Sequence, residues 1–183
     1  MQKLIIPLIL YFPLFICYSC QDVNKKQEKI NSDEFKNLSV SELEMKGFEK
    51  IKTSQTFEEG IKYLEKAADK GSLKAALEVG KRYAWGYGLT KNNQNARSIL
   101  KNYIFDNDAR FEIGKIIFED AQSDNDFKKA YEHFQGVTLG KNDNSAEYML
   151  GYMNYFGLGT LKDYKLAYKY FLESTRRPNS DTI

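Results

Sequence analysis

Few residues of this chain are of the types that make or break bonds, and their spacing argues against that use. There is one histidine, His133. It stands one residue before Phe134 on what reads as a helix, and a single helical imidazole with no second imidazole or thiol beside it is a partly exposed packing residue rather than a base or a ligand. The two cysteines, Cys17 and Cys20, both fall at the end of an apolar run near the N-terminus. That leaves no thiol in the body of the chain for nucleophilic catalysis, zinc or a disulfide framework. Asp120, Asp124 and Asp126 bring three carboxylates close together, the hard oxygen donors that calcium takes, but the glycine and the distal glutamate of an EF-hand loop are missing. Helix capping and solvation account for them better. Gly86-x-Gly88 and Gly157-x-Gly159 invite a phosphate-loop reading, yet each follows a helical pattern rather than a strand, and neither leads into Gly-Lys-Ser/Thr. Helix termination with left-handed backbone angles is the plainer reading. The expectation is therefore a protein that is not an enzyme, with no catalytic residue, no metal site, no cofactor and no small-molecule substrate.

The elements around these residues begin with an export signal. Lys3 supplies the positive charge, Leu4 to Ile16 form an apolar core too short to span a bilayer, prolines 7 and 13 weaken it as a helix, and Ser19 is a small residue at a cleavage position. Tyr18-Ser19-Cys20 after that core resembles the lipobox at which bacterial lipoproteins are cut and diacylated, with Cys17 standing where the pattern prefers Leu. The resemblance implies a thioether lipid on Cys20 and an anchor by buried acyl chains. Ordinary cleavage near Ser19, giving a soluble periplasmic or secreted protein, is the alternative. Cleavage before Cys20 removes only Lys3 among the charges, leaving a formal net charge of +1 against +2 for the whole chain. No long single-sign run stands out, so a nucleic-acid partner is not expected. Gln21 to about Leu38 is polar and charged, which suits a tether. The domain expectation is thus a signal peptide over 1–19, lipidated Cys20 with a tether over 20–40, a repeat domain over 41–177 and a tail over 178–183.

The repeat itself is carried by glycine and alanine columns. Gly80, Gly114 and Gly151 are each preceded at five residues by an alanine (Ala75, Ala109, Ala146) and followed at sixteen by another (Ala96, Ala130, Ala167). One turn beyond that second column stand Leu100, Phe134 and Phe171, with Leu64 after Gly60 in an earlier half-repeat. Thr56, Asn92, Asp126 and Asp163 precede the column in register as N-cap candidates, and Thr56 with Glu59 forms a capping-box pattern. Helices are predicted over Ser41 to Ile51, Phe57 to Lys70, Leu73 to Trp85, Asn93 to Phe105, Asp108 to Glu119, Phe127 to Gln135, Ser145 to Phe156 and Tyr164 to Thr175. Each unit reads as a helical hairpin whose small residues let helix A and helix B approach closely. Such hairpins are stable only when stacked.

The run Ala75-Ala76-Leu77 to Gly80, Tyr83, Gly86-x-Gly88 and Asn92-x-x-x-Ala96 resembles the Sel-one-like repeat (SLR), a relative of the tetratricopeptide repeat with a longer turn. Ala146, Leu150-Gly151, Gly157-x-Gly159 and Asp163-x-x-x-Ala167 match equally well, and Tyr63-Leu64-x-Lys66-Ala67-Ala68-x-x-Gly71 is similar to the family's second-helix ending. Glu119 to Asp126 departs from the pattern, with a polar, acidic loop in place of Gly-x-Gly. The resemblance covers about 41–177. It implies an all-α fold, an α-solenoid of antiparallel helical hairpins with about 3.5 repeats, and nothing in its motif is catalytic.

A solenoid that curls as tetratricopeptide-like ones do lines its concave surface with the residues three before and one, four and five after the column glycine. These are Leu77, Lys81, Ala84 and Trp85; Phe111, Lys115, Phe118 and Glu119; and Tyr148, Tyr152, Tyr155 and Phe156. Grouped aromatics mark binding hot spots or inter-repeat core. The expected function is a protein-interaction scaffold or adaptor of the bacterial cell envelope, docking a protein or peptide on the aromatics with Lys81 and Lys115 orienting its acidic groups. The alternatives are a periplasmic immunity protein that neutralises a secreted toxin, a purely structural subunit, or a cell-wall or β-lactam hydrolase, a role proposed for cysteine-rich relatives. A second surface is expected beyond the last hairpin, where Tyr168, Phe171 and Leu172 would face a partner, a second copy or the folded-back tail.

Overall fold

The computed structural model describes residues 35–137 and 143–176. The signal-like segment, Cys20, most of the tether and the tail from Arg177 lie outside the described residues. The chain divides into two units, 1–38 and 39–183. In the second, eight α-helices follow one another among the described residues: α1 Val40–Lys50, α2 Phe57–Asp69, α3 Leu73–Trp85, α4 Asn93–Leu100, α5 Asn107–Asp120, α6 Asp124–Gln135, α7 Asp143–Phe156 and α8 Tyr164–Arg176. A 3-10 turn over Lys101–Tyr103 finishes α4, short of the single longer helix that the sequence suggests. The helices pair as α1/α2, α3/α4, α5/α6 and α7/α8, and each B helix also packs on the next A helix. The fold is all-α, of helical hairpin repeats, and the hairpins number four rather than three and a half.

The additional half comes from Gly47, which completes the glycine column. A Cβ added at Gly47 would lie 2.6 Å from Leu64, at Gly80 2.8 Å from Leu100, at Gly114 2.9 Å from Phe134 and at Gly151 2.8 Å from Phe171. Each A helix thus gives up a side chain so that the large residue of its B helix can lie against bare backbone. Leu64, Leu100 and Phe134 are fully buried there. Each contributes roughly 1.5–3 kcal/mol by leaving water.

Two of the four expected caps stand. Asn92 accepts from the Asn95 amide and Asp163 from the Leu166 amide, both at 2.9 Å. Thr56 makes no cap bond, because its hydroxyl donates back to the Lys50 carbonyl at 2.7 Å and so ties the α1–α2 turn shut. The capping box lies instead at Ser39 and Glu42, ahead of α1. Asp126 is not the cap of α6 either. Ser123 caps it, accepting from the Asp126 amide, and the helix starts three residues earlier than expected.

The turn after α3 and the turn after α7 are built alike. Gly86 and Tyr87 both bond back to the Arg82 carbonyl, and Gly157 and Leu158 both bond back to the Met153 carbonyl. Gly86, Gly88, Gly157 and Gly159 all have φ between 66° and 77°, the left-handed region that favours glycine. The turn is then closed by the Asn92 amide on the Tyr83 carbonyl at 2.8 Å, matched by the Asp163 amide on the Asn154 carbonyl at 2.9 Å.

Candidate partner-binding surface

The twelve residues expected on one face of the A helices are brought together, but they divide into a closed part and an open part. In the closed part, Ala84 and Phe111 are buried and Leu77 and Trp85 half-buried, packed with the core beneath. A buried carboxylate, Glu112, only 5% exposed, gathers this region. It accepts from Trp85 Nε1 at 3.3 Å and from Lys115 at 3.2 Å, and Lys81 stands 3.8 Å away. Lys115 also lies 4.6 Å over the Trp85 ring and 5.4 Å over Phe111. Both lysines assigned to a partner's acidic groups therefore share one internal carboxylate, which neutralises one charge of the two. Glu119, at the end of α5, is exposed and pairs with Lys91 at 2.8 Å.

The open part is a run of rings that meet edge to face, except Tyr152 and Phe156, which are tilted at 50°. Phe118 meets Phe127 at 5.4 Å and Tyr152 at 6.1 Å; Tyr152 meets Phe156 at 4.6 Å; Phe156 meets Tyr155 at 4.9 Å; and Tyr155 meets Tyr164 at 5.2 Å. Tyr152, Tyr155, Phe156 and Tyr164 are 36% to 59% exposed. Such contacts hold each ring in place while leaving its outer face to solvent, so a ligand meets a surface that has little side-chain freedom left to lose. Where the two parts meet, Phe111, Lys115 and Tyr148 line one hollow of about 320 Å³ with Asn144, Ser145, Met149 and Ser174.

Sequence reasoning passed over four contributors. Phe48 of α1 and Lys52 just beyond its end occupy the same repeat positions as Lys115 and Glu119, and Lys74 of α3 lies 4.5 Å over the Phe48 ring, so the face continues onto the first hairpin. They were legible once Gly47 is placed in the column. Tyr164 was visible only as a helix start. Glu112 had one signal, the lone carboxylate of the stretch from Phe111 to Phe118, which is otherwise apolar but for Lys115.

The residues weighed for chemistry have structural partners. Asp120 bonds to Arg97 and Asn93, Asp124 accepts from the Gly159 amide, and Asp126 accepts from Ser123 Oγ and Lys129, so the three carboxylates face different neighbours. Hydrogen bonds from Ser123 and then Lys129 hold Asp126 below the usual carboxylate range. His133 is half-buried, and burial first, then the Arg110 charge, pushes its imidazole below its ordinary value. Among the described residues no cluster of three or more His, Cys, Asp or Glu side chains could hold a metal ion.

This geometry is that of a known repeat class. The Sel1 repeat model matches residues 46–72, 73–101 and 144–178, which take in the end of α1 with α2, the second hairpin and the fourth. The chain is accordingly a Sel1-like repeat protein, and such repeats form helical scaffolds that typically mediate protein interactions and are usually non-catalytic. Two solved structures share the fold. A Sel1 repeat protein from Oxalobacter formigenes is 20% identical with a TM-score of 0.61, over 75% of this chain and 58% of that one. The c5321 protein, a protective antigen present in uropathogenic Escherichia coli strains and displaying an SLR fold, is 22% identical with a TM-score of 0.64, over 74% of this chain and 30% of that one. This chain thus spans little over half of the first and under a third of the second. No curated protein matches it significantly.

Proposed function

We infer that the chain is a non-catalytic scaffold of the bacterial cell envelope, exported by residues 1–19 and lipid-anchored at Cys20, that docks a partner protein on its A-helix face. One observation carries the docking surface: the contiguous run of rings from Phe118 to Tyr164, in which Tyr152, Tyr155, Phe156 and Tyr164 keep exposed faces. Rigid aromatics in a row suit a peptide or helix that lays apolar side chains across them. Lys81, which stands farther from Glu112 than Lys115 does and is the more exposed of the two, keeps a cation that orients a carboxylate on the partner. The envelope address rests on the apolar run Leu4 to Ile16 followed by Ser19-Cys20. Among the described residues no helix is long and apolar enough to cross a membrane.

The test is a double substitution, Tyr152→Ala with Phe156→Ala, in a chain that has captured a partner from envelope fractions by crosslinking. Affinity for that partner should fall at least about tenfold, or 1.4 kcal/mol, with the helical circular dichroism spectrum unchanged. Equal affinity would remove the aromatic run from the interface. Trp85→Ala is a poorer probe, because its indole is bonded into the Glu112 cluster. Mass spectrometry of the N-terminal peptide for acyl chains on Cys20 tests the anchor separately.

A further inference from the structure

Three of the four B helices are covered on their outward side by the A helix that follows: α2 by α3, α4 by α5 and α6 by α7. One residue after the small-residue column of the B helices, Ile61 of α2 is 4% exposed and Tyr131 of α6 is 9% exposed. The Tyr131 hydroxyl accepts a hydrogen bond from Asn154 of α7, the next A helix, at 3.1 Å. Tyr168 of α8 holds the same repeat position and is 69% exposed. With Asp163, Lys165, Leu166, Lys169, Leu172 and Glu173 it lines a groove of about 560 Å³. The internal joints say what shape belongs there, namely an A helix.

One A helix of this chain has the complementary side exposed. Two residues after the glycine column, Ile116 of α5 and Met153 of α7 are fully buried against the hairpin that precedes each. In α1 that position is Glu49, which is exposed, and one turn earlier Met45 is 65% exposed. The α3 residue at that position, Arg82, lies 5.1 Å over Phe57, the first residue of the preceding B helix. Carried one hairpin beyond α8, the same geometry sets a Glu49 beside Tyr164 and Lys165. The two sides match in shape, with Tyr168 and Leu172 exposed on α8 and Met45 on α1; each carries two lysines and two carboxylates, so the charge match is local and falls on Lys165 opposite Glu49.

We propose that a second copy of this chain docks its α1 onto α8, continuing the hairpin stack head to tail. Such a contact uses different patches on the two copies, so it does not close on itself and copies add in a row.

The experiment places a benzophenone side chain at position 168 of the full-length chain in cells that also carry a differently tagged copy, because benzophenone favours methionine. Irradiation should join the two tags, and peptide mapping should find the adduct at Met45. Lys165→Glu should abolish it, and Glu49→Lys in the other copy should bring it back. Overturning results are an adduct confined to a different protein or to residues 177–183 of the same chain, a tyrosine-168-to-tyrosine-168 contact typical of a closed two-fold dimer, or a yield indifferent to both charge reversals.

Discussion

The loops that close the second and fourth hairpins and the loop that closes the third rest on the same place, the start of the preceding B helix, by opposite means. In the second hairpin Gly88 lies against the Phe57 ring of α2, where an added Cβ would come within 2.6 Å. In the fourth, a Cβ on Gly159 would strike the backbone of Phe127 and Lys128 in α6, and the Gly159 amide donates to Asp124 at 3.1 Å. The third hairpin has no glycine there. Glu119 pairs with Lys91 at 2.8 Å, while Asp120 pairs with Arg97 at 3.2 Å and accepts from Asn93 at 2.6 Å. Close approach of backbone makes one kind of joint and charge across a wetter gap makes the other. The difference is one of stiffness: a backbone contact cannot be screened, and a half-exposed ion pair can.

Substitutions should separate the two kinds. Gly159→Ala should be the most damaging, costing about 3 kcal/mol, because a side chain there meets backbone and also sits at a φ of 66°. Thermal melting should show the fourth hairpin uncoupled from the third. Gly88→Ala meets a ring that can shift, so a cost of about 1–2 kcal/mol is expected at a similar φ. The acidic joint should respond least at neutral pH. Glu119→Gln and Asp120→Asn should each cost about 0.5 kcal/mol in dilute buffer and nearly nothing in about 1 M salt, where screening shortens to about 3 Å. A glycine joint indifferent to alanine, or an acidic joint indifferent to salt, would end the distinction. Acid gives a further handle on the third hairpin. His133 has its pKa lowered in the folded protein by burial and then by the Arg110 charge, against the opposing effects of a backbone hydrogen bond at Arg110 and of the Glu132 charge. The unfolded chain therefore takes up the proton first. Stability should be complete above the ordinary histidine value of about 6.5 and fall as pH drops below it. His133→Gln should flatten that slope in denaturant titrations.

The columns made most of the fold legible, since a glycine facing a large residue seventeen or twenty positions on is a packing rule that the chain repeats. Gly47 escaped because Glu42 stands where the other hairpins have alanine, and because the α1–α2 turn is three residues shorter than the Gly-x-Gly turns. The Asp163 cap was legible as the clear candidate in its turn, and Asn92 was picked out from Asn93 only by its register with the alanine column. At α6, Ser123, Asp124 and Asp126 all qualify by type, and propensity does not rank residues within one turn. At α2 the threonine found a stronger local acceptor, the Lys50 carbonyl, than the helix could offer. The candidate surface was legible in its membership and not in its division. Periodicity places Lys81, Trp85 and Lys115 on one face, but it does not reveal that Glu112, one residue outside the chosen positions, draws them together.

Every one of these loops leans on the hairpin before it, and none described here needs the hairpin after it. A chain that emerges N-terminus first across a membrane therefore finds each seat already built when the loop that needs it arrives. Hairpins can be completed one at a time, with only the newest apolar flank open to solvent.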